Sequence, residues 1–106
     1  VTAISGSGPA YFFFIMEIMQ NIGEQFGLSA DMARQLTLQT ALGAAKMALA
    51  NDADTATLRR QVTSPGGTTE QAIKVFEQQG LRELFNQALM ACRDRSEELA
   101  KSINGK

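Results

Sequence analysis

The most unusual part of the sequence is a short polar stretch, Ser64-Pro-Gly-Gly-Thr-Thr69, between two segments with helical periodicity. It contains one of only two prolines, a glycine pair and three hydroxyl side chains. At the N-terminus of a helix the first N–H groups have no intrahelical partner, and the helix dipole favours an anion. Glycines allow the backbone to approach a ligand closely, and hydroxyl groups add donors. The stretch therefore predicts a cradle for a small anion of phosphate or carboxylate size.

The same residues also fit a simpler role. Thr68 and Gln71 have the spacing of a capping box, so the stretch could be only an elaborately capped turn. A nucleotide P-loop is excluded, because the lysine of G-x-x-x-x-G-K-[ST] is absent. From the residues alone, the anion cradle and the capped turn both stay open.

A second glycine-containing stretch, Ser5-Gly-Ser-Gly-Pro-Ala-Tyr11, superficially resembles a dinucleotide-binding fingerprint. Tyr11 stands where the third glycine should be, and no strand precedes the stretch, so that interpretation fails. Two alternatives are left open: a tight, ligand-facing start to a helix, or simple N-capping by Ser7.

Composition excludes several classes of function. The chain has 106 residues and a net charge of −1, so it has no basic face for nucleic acid or for an anionic membrane. It has no histidine, which excludes His-based metal sites and Ser-His or Cys-His pairs, and we expect no metal. The apolar run at residues 10–19 is shorter than the ~20 residues of a membrane span. A single cysteine suits a reducing compartment, so we expect a cytoplasmic protein.

The elements that must position these residues are all helical. Hydrophobic periodicity predicts five helices, over residues 9–26, 30–50, 55–62, 68–79 and 81–102. Polar N-caps and glycine stops mark several of their ends. Gly27 and Gly80 fit as stops, and Ser29 fits as an N-cap. We expect an all-α domain over residues 9–106, with residues 1–8 as the end of an interdomain linker and residues 5–8 as a flexible entry to the first helix. The chain does not begin with Met, which suggests a piece of a longer protein.

The first helix is apolar on nearly all sides, so it must be buried on nearly all sides. Its principal stripe is formed by Tyr11, Ile15, Ile18, Ile22 and Phe26. A chain of this size has little room for a core around such a helix. Two copies that share one core would solve the problem; the alternative is a compact monomer with this helix at its centre.

The other helices have narrower inner faces. The second helix has an inner face of Leu36, Thr40, Gly43, Ala44 and Met47, whose small residues predict close approach of another helix. Leu58 and Val62 are predicted to point inward from the third helix. Cys92, on the inner stripe of the last helix, is predicted to be a small apolar filler.

Together, the two glycine-containing stretches and Thr40-Ala-Leu-Gly-Ala-Ala-Lys-Met47 resemble the C-terminal domain of pyrroline-5-carboxylate reductases. The resemblance covers essentially the whole chain, and Ser-Pro-Gly-Gly-x-Thr is the family's signature. It implies an oxidoreductase that reduces the cyclic imine 1-pyrroline-5-carboxylate to L-proline, the last step of proline biosynthesis. The hydride would come from NADPH or NADH, held by an N-terminal Rossmann domain that this chain lacks.

The resemblance also implies partners and site residues. It implies a helical bundle that forms an intertwined homodimer, and in some members five dimers form a ring. The substrate site would comprise Ser64, Pro65, Gly66, Gly67, Thr68 and Thr69. Ser64 and the N–H groups of Thr68 and Thr69 would hold the substrate carboxylate, and the Thr69 hydroxyl would bond the ring nitrogen as the catalytic contact. The alternative is a non-catalytic helical dimerisation module.

Overall fold

A computed structural model describes residues 1–104, and all of its regular elements are helices. Five α-helices follow a single π-helical turn at Thr2–Gly6. They are α1 (Gly8–Gln25), α2 (Ala30–Ala50), α3 (Thr55–Gln61), α4 (Thr68–Gln78) and α5 (Leu81–Asn104). The prediction of an all-α chain with five helices is confirmed. The helices divide between two compact units: Phe13–Gln71, and Val1–Phe12 together with the residues from Ala72 onward.

The helix boundaries follow local backbone chemistry. At the end of α1, Gly27 has a φ of 104°, and the N–H of Leu28 donates to the carbonyl of Gly23 at 3.1 Å, which completes a Schellman motif. The Ser29 hydroxyl then accepts the N–H of Met32 at 3.1 Å and starts α2, as the sequence predicts. Gly80, with a φ of 82°, lies between α4 and α5, and its N–H donates to the carbonyl of Glu77 at 3.4 Å.

Two local features differ from the prediction. Residues 2–6 form a turn of π-helix, so residues 5 and 6 of the predicted flexible entry are helical, with the N–H of Ser7 donating to the carbonyl of Thr2 at 2.8 Å. This turn packs on α5 within its own unit. The second feature is the cap of α3, which the sequence analysis did not identify: the Asp54 carboxylate accepts the N–H of Thr57 at 2.8 Å.

The chain on its own has almost no hydrophobic core. Among the described residues, Ala33 is the single buried apolar side chain, and it is 2% exposed. It lies where α1 and α2 meet, because a Cβ added to Gly23 would stand 3.2 Å from the Ala33 Cβ. The three consecutive phenylalanines in the first half of α1, Phe12, Phe13 and Phe14, are open to solvent, with Phe13 66% exposed.

The exposed area gives the same result. The chain exposes 8503 Å². A folded monomer of 11.5 kDa should expose about 5,800 Å², so this chain exposes roughly 2,700 Å² more. For two chains the excess is about 5,400 Å², close to the upper end of the 2,000 to 5,000 Å² and more that obligate homodimers bury in total. The side chains of α1 therefore need a surface beyond those that this chain provides.

The predicted inner faces of α2 and α3 lie on a common cavity, but the chain does not fill it. Ala44 and Met47 of α2 line a cavity of about 270 Å³ together with Leu58 and Val62. Val62 is still 58% exposed. Gly43 meets nothing within 4 Å of where its Cβ would be, so the close helix approach predicted there does not occur within this chain.

Within residues 1–104, no helix is both long and apolar enough to cross a membrane.

Candidate functional site

The polar stretch forms a tight turn between the end of α3 and the start of α4. The N–H of Gly67 donates to the carbonyl of Ser64 at 3.0 Å, with Pro65 and Gly66 at the two corners. Gly66 has a φ of 74°, which is the conformation that a type II turn requires at its third residue. Proline before it presets the other corner. These two residue types are therefore explained by the turn itself.

The second glycine of the pair is needed for a different reason. A Cβ added to Gly67 would stand 3.1 Å from the carbonyl oxygen of Ser64 and 3.4 Å from its Cβ. A side chain at this position would push the turn open. The glycine pair thus holds Ser64 close to the first residues of α4.

A carboxylate braces the turn from the helix side. The Glu70 carboxylate accepts the N–H of Gly66 at 3.0 Å, four residues back along the chain. The sequence analysis placed the capping box on Thr68 and Gln71, which is wrong in detail. Gln71 contributes its backbone instead, as its N–H donates to the carbonyl of Gly67 at 3.4 Å.

The first N–H groups of α4 differ from those of the two glycines in the turn. Within the part of the chain that the structure describes, the backbone N–H groups of Thr68 and Thr69 have no protein acceptor. The side chains of both threonines and of Ser64 are exposed. The N–H groups of Thr68 and Thr69 are the first of an 11-residue helix, where the helix dipole favours negative charge. The arrangement can bind a small anion through two N–H groups, with hydroxyls beside them.

The predicted set of site residues therefore divides into two groups. Ser64, Thr68 and Thr69 present donors that are not used within the chain. Pro65, Gly66 and Gly67 shape the turn, and the N–H groups of the two glycines already have internal acceptors. All six residues lie together because they are contiguous. Among the described residues of the stretch, the unused donors thus lie at Ser64, Thr68 and Thr69.

The start of α1 forms a separate polar cluster with α5. The Cys92 thiol donates to the Ser7 hydroxyl, with 3.2 Å between Sγ and Oγ. The Ser7 hydroxyl, followed by that of Tyr11, stabilises the thiolate and lowers the pKa of Cys92. The Tyr11 hydroxyl is shielded from solvent and has no hydrogen-bond partner among residues 1–104. The adjacent Cys92 and the loss of solvent raise the pKa of Tyr11.

This cluster corrects the sequence analysis in two respects. Cys92 is a polar partner rather than an apolar filler. The Ser7 hydroxyl accepts a hydrogen bond from the Cys92 thiol. N-capping of α1 by Ser7 was one of the two alternatives that the sequence left open. The partners are 85 residues apart, and no local pattern indicates such a contact.

An all-helical chain whose apolar helix faces are left uncovered defines a domain that completes its core through association. The family model for pyrroline-5-carboxylate reductase dimerisation matches residues 1–99. The chain belongs to this family, which confirms the resemblance noted in the sequence.

Curated relatives agree along nearly the whole chain. A pyrroline-5-carboxylate reductase of Pseudomonas aeruginosa is 58% identical over 103 residues, which cover 97% of this chain and 38% of the relative. The corresponding protein of Pasteurella multocida is 51% identical over 102 residues, covering 95% of this chain and 37% of the relative. The chain thus spans less than two-fifths of the length of these relatives.

Solved structures show the same fold. A pyrroline-5-carboxylate reductase from Coxiella burnetii matches with a TM-score of 0.89 and 58% identity, over 92% of this chain and 36% of that one. The pyrroline carboxylate reductase of Plasmodium falciparum, solved with NADP bound, matches with a TM-score of 0.88 and 32% identity. That match covers 92% of this chain and 39% of the other.

Proposed function

We propose that this chain is the dimerisation and substrate-binding part of a reductase that converts 1-pyrroline-5-carboxylate to L-proline with NADPH or NADH. Family membership and the names of the relatives support this activity. The chain spans only part of those relatives, so the proposal concerns the full-length protein. The cofactor would bind mainly to a Rossmann domain outside this chain.

The observation that carries the site assignment is the pair of unused N–H groups at Thr68 and Thr69, next to the exposed Ser64 hydroxyl. The substrate carries a carboxylate, which two N–H groups and a hydroxyl can hold. Hydrogen bonds to a charged group contribute ~1.5–3 kcal/mol each. Their principal effect is to orient the ring, so that the imine carbon lies at hydride-transfer distance from the nicotinamide.

The Thr69 hydroxyl is the proposed contact to the ring nitrogen. Within the described residues this hydroxyl makes no hydrogen bond, so it is free to serve a ligand. The cofactor supplies the hydride when it is bound. This chain supplies orientation of the carboxylate and a hydrogen bond at the nitrogen.

The proposed assembly is a homodimer that buries the apolar surface of α1. The uncovered aromatic side chains of α1 and the excess exposed area support it. A ring of five such dimers is the larger assembly that the family resemblance suggests. The proposed location is the cytoplasm, which the single free cysteine supports.

The test uses two proteins: the purified full-length protein and this 106-residue chain alone. Each is mixed with 1-pyrroline-5-carboxylate and with NADPH or NADH, and oxidation of the cofactor is followed by absorbance. We expect turnover from the full-length protein and none from the chain alone. A full-length protein without reductase activity would leave the non-catalytic dimerisation module as the function. Turnover by the isolated chain would refute the assignment of the cofactor to a missing domain.

A further inference from the structure

We propose that Glu70 is a positioning residue for the substrate carboxylate. Its own carboxylate holds the Ser64–Gly67 turn in the conformation that presents the Ser64 hydroxyl beside the N–H groups of Thr68 and Thr69. This inference rests on the proposed function, because it assigns a role at the same site. Neither the sequence motif nor the predicted capping box included Glu70.

The first reason is that the turn needs an external brace. Two of its four residues are glycines, which have the greatest backbone freedom in the unfolded or loosened state. The chain contributes one backbone bond across the turn, from the N–H of Gly67 to the carbonyl of Ser64 at 3.0 Å. The bond from the N–H of Gly66 to Glu70, also at 3.0 Å, is the second.

The second reason is the direction of the brace. Glu70 lies in the first turn of α4, the same turn whose N–H groups form the cradle. Its bond therefore ties the corner of the turn to the helix that contains the cradle, rather than to another part of the chain. The Glu70 side chain is also partly buried, whereas Ser64, Thr68 and Thr69 are exposed. Glu70 thus braces the turn without occupying the exposed donors, which remain available to the ligand.

A consequence concerns which donors the substrate can use. Since Glu70 occupies the N–H of Gly66, the substrate carboxylate is left with the N–H groups of Thr68 and Thr69. The negative charge of Glu70 near the cradle would repel a second carboxylate. Glu70 therefore helps substrate binding through the hydrogen bond that its oxygen accepts from Gly66, and not through its charge. This distinction separates positioning from a direct electrostatic role.

Three substitutions in the full-length reductase separate these roles. Glu70→Ala removes the acceptor and should raise the KM for 1-pyrroline-5-carboxylate about three- to tenfold, the loss expected when one hydrogen bond of ordinary strength is removed from an ordered site. Glu70→Asp keeps the charge and the favourable acid in the first helical turn, but it draws the oxygen back by one methylene, so KM should also rise. Glu70→Gln keeps an acceptor of the same reach, so KM should stay within about twofold of wild type. In the Ala and Asp variants, kcat should fall by a smaller factor than KM rises, because the change weakens the binding of substrate and of transition state equally.

The matched control is Glu77→Ala. Glu77 lies on the same helix, far from the turn, and pairs with Arg82 at 2.7 Å on the surface. We expect its kinetic constants to equal those of wild type. Melting curves of all variants establish that each is folded; if Glu70→Ala does not fold, Glu70→Asp decides the outcome.

The outcomes distinguish this inference from the proposed function. An inactive wild-type protein would refute the reductase proposal itself. An active wild type with an unchanged KM in Glu70→Ala and Glu70→Asp would overturn only the role of Glu70. A Gln variant as impaired as the Ala variant would also contradict positioning through a hydrogen bond, because the acceptor would then be insufficient.

Discussion

Replacing Ile18 with Asp tests whether two copies share the core around α1. Ile18 is 42% exposed in the single chain, so in a monomer the new carboxylate would reach water. Surface substitutions of this kind usually change stability by within ~0.5 kcal/mol. In a shared core the same carboxylate would be buried without a partner.

The expected loss is large if the core is shared. Leaving an uncompensated charge buried costs ~3–5 kcal/mol, and a symmetric dimer contains two such positions, so the total is ~6–10 kcal/mol. Because each 1.4 kcal/mol is a factor of ten, association should weaken by about four to seven orders of magnitude. At micromolar concentration the variant should be unfolded or aggregated.

The assay combines sedimentation, which gives the mass in solution, with thermal melting followed by circular dichroism. Ile103→Asp is the matched control, since Ile103 is 77% exposed and lies beyond residues 1–99 that the family model matches. We expect wild type and the control to be dimers with similar melting temperatures. An Ile18→Asp protein that melts like the control would refute the shared core, whatever its mass.

Two further predictions concern Gly43 in α2 and Asp54, which caps α3. Gly43→Ala should stabilise a monomer by ~1 kcal/mol through helix propensity, because the site is open in the single chain; we expect it instead to lower the melting temperature, as a helix of the partner would pack there. Asp54→Ala should lower the melting temperature by removing the cap on Thr57. Since that bond holds the pKa of Asp54 below its ordinary value, the stabilisation is present at neutral pH and is lost as the pH falls through the folded-state pKa. Melting curves from neutral to acidic pH should therefore converge for wild type and Asp54→Ala, while Asp54→Asn should keep the cap throughout; curves separated by a constant interval would contradict this role.

The sequence predicts the helices well because their boundaries depend on nearby residues. Ser29, Gly27 and Gly80 act within one helical turn of their own positions, and each does what its residue type predicts. The type and position of all five helices are confirmed. Asp54 was missed although its signal is also local, since it stands in a polar run that was interpreted only as a turn.

Contacts between distant residues could not be predicted in this way. Nothing near Cys92 in the sequence indicates its bond to Ser7, which depends on how α5 packs against the N-terminal turn. Hydrophobic periodicity likewise identifies which face of a helix must be covered, but not whether its own chain covers it. The inner face of α2 shows this, because Gly43 and Met47 are left open here.

The candidate site was predicted in part. The motif gives the turn and the helix N-terminus, and both are present. It does not show which N–H groups are already used, because that depends on the path of the turn. Glu70 could have been suspected from its place in the first turn of α4, but its partner at Gly66 is fixed only by the left-handed conformation of that glycine.

The central claim, that the cradle at Ser64–Thr69 orients an imine substrate, is tested most directly by kcat of Thr69→Ala and Thr69→Ser in the full-length reductase. Serine keeps the hydroxyl that would contact the ring nitrogen, and both variants keep the backbone N–H groups. One hydrogen bond contributes ~0.5–1.5 kcal/mol, and more if the imine is protonated, so we expect kcat of the alanine variant to fall about tenfold or more. The serine variant should retain most of its kcat, and KM should change little in either. An alanine variant with wild-type kcat would contradict the account and leave the stretch as a structural turn.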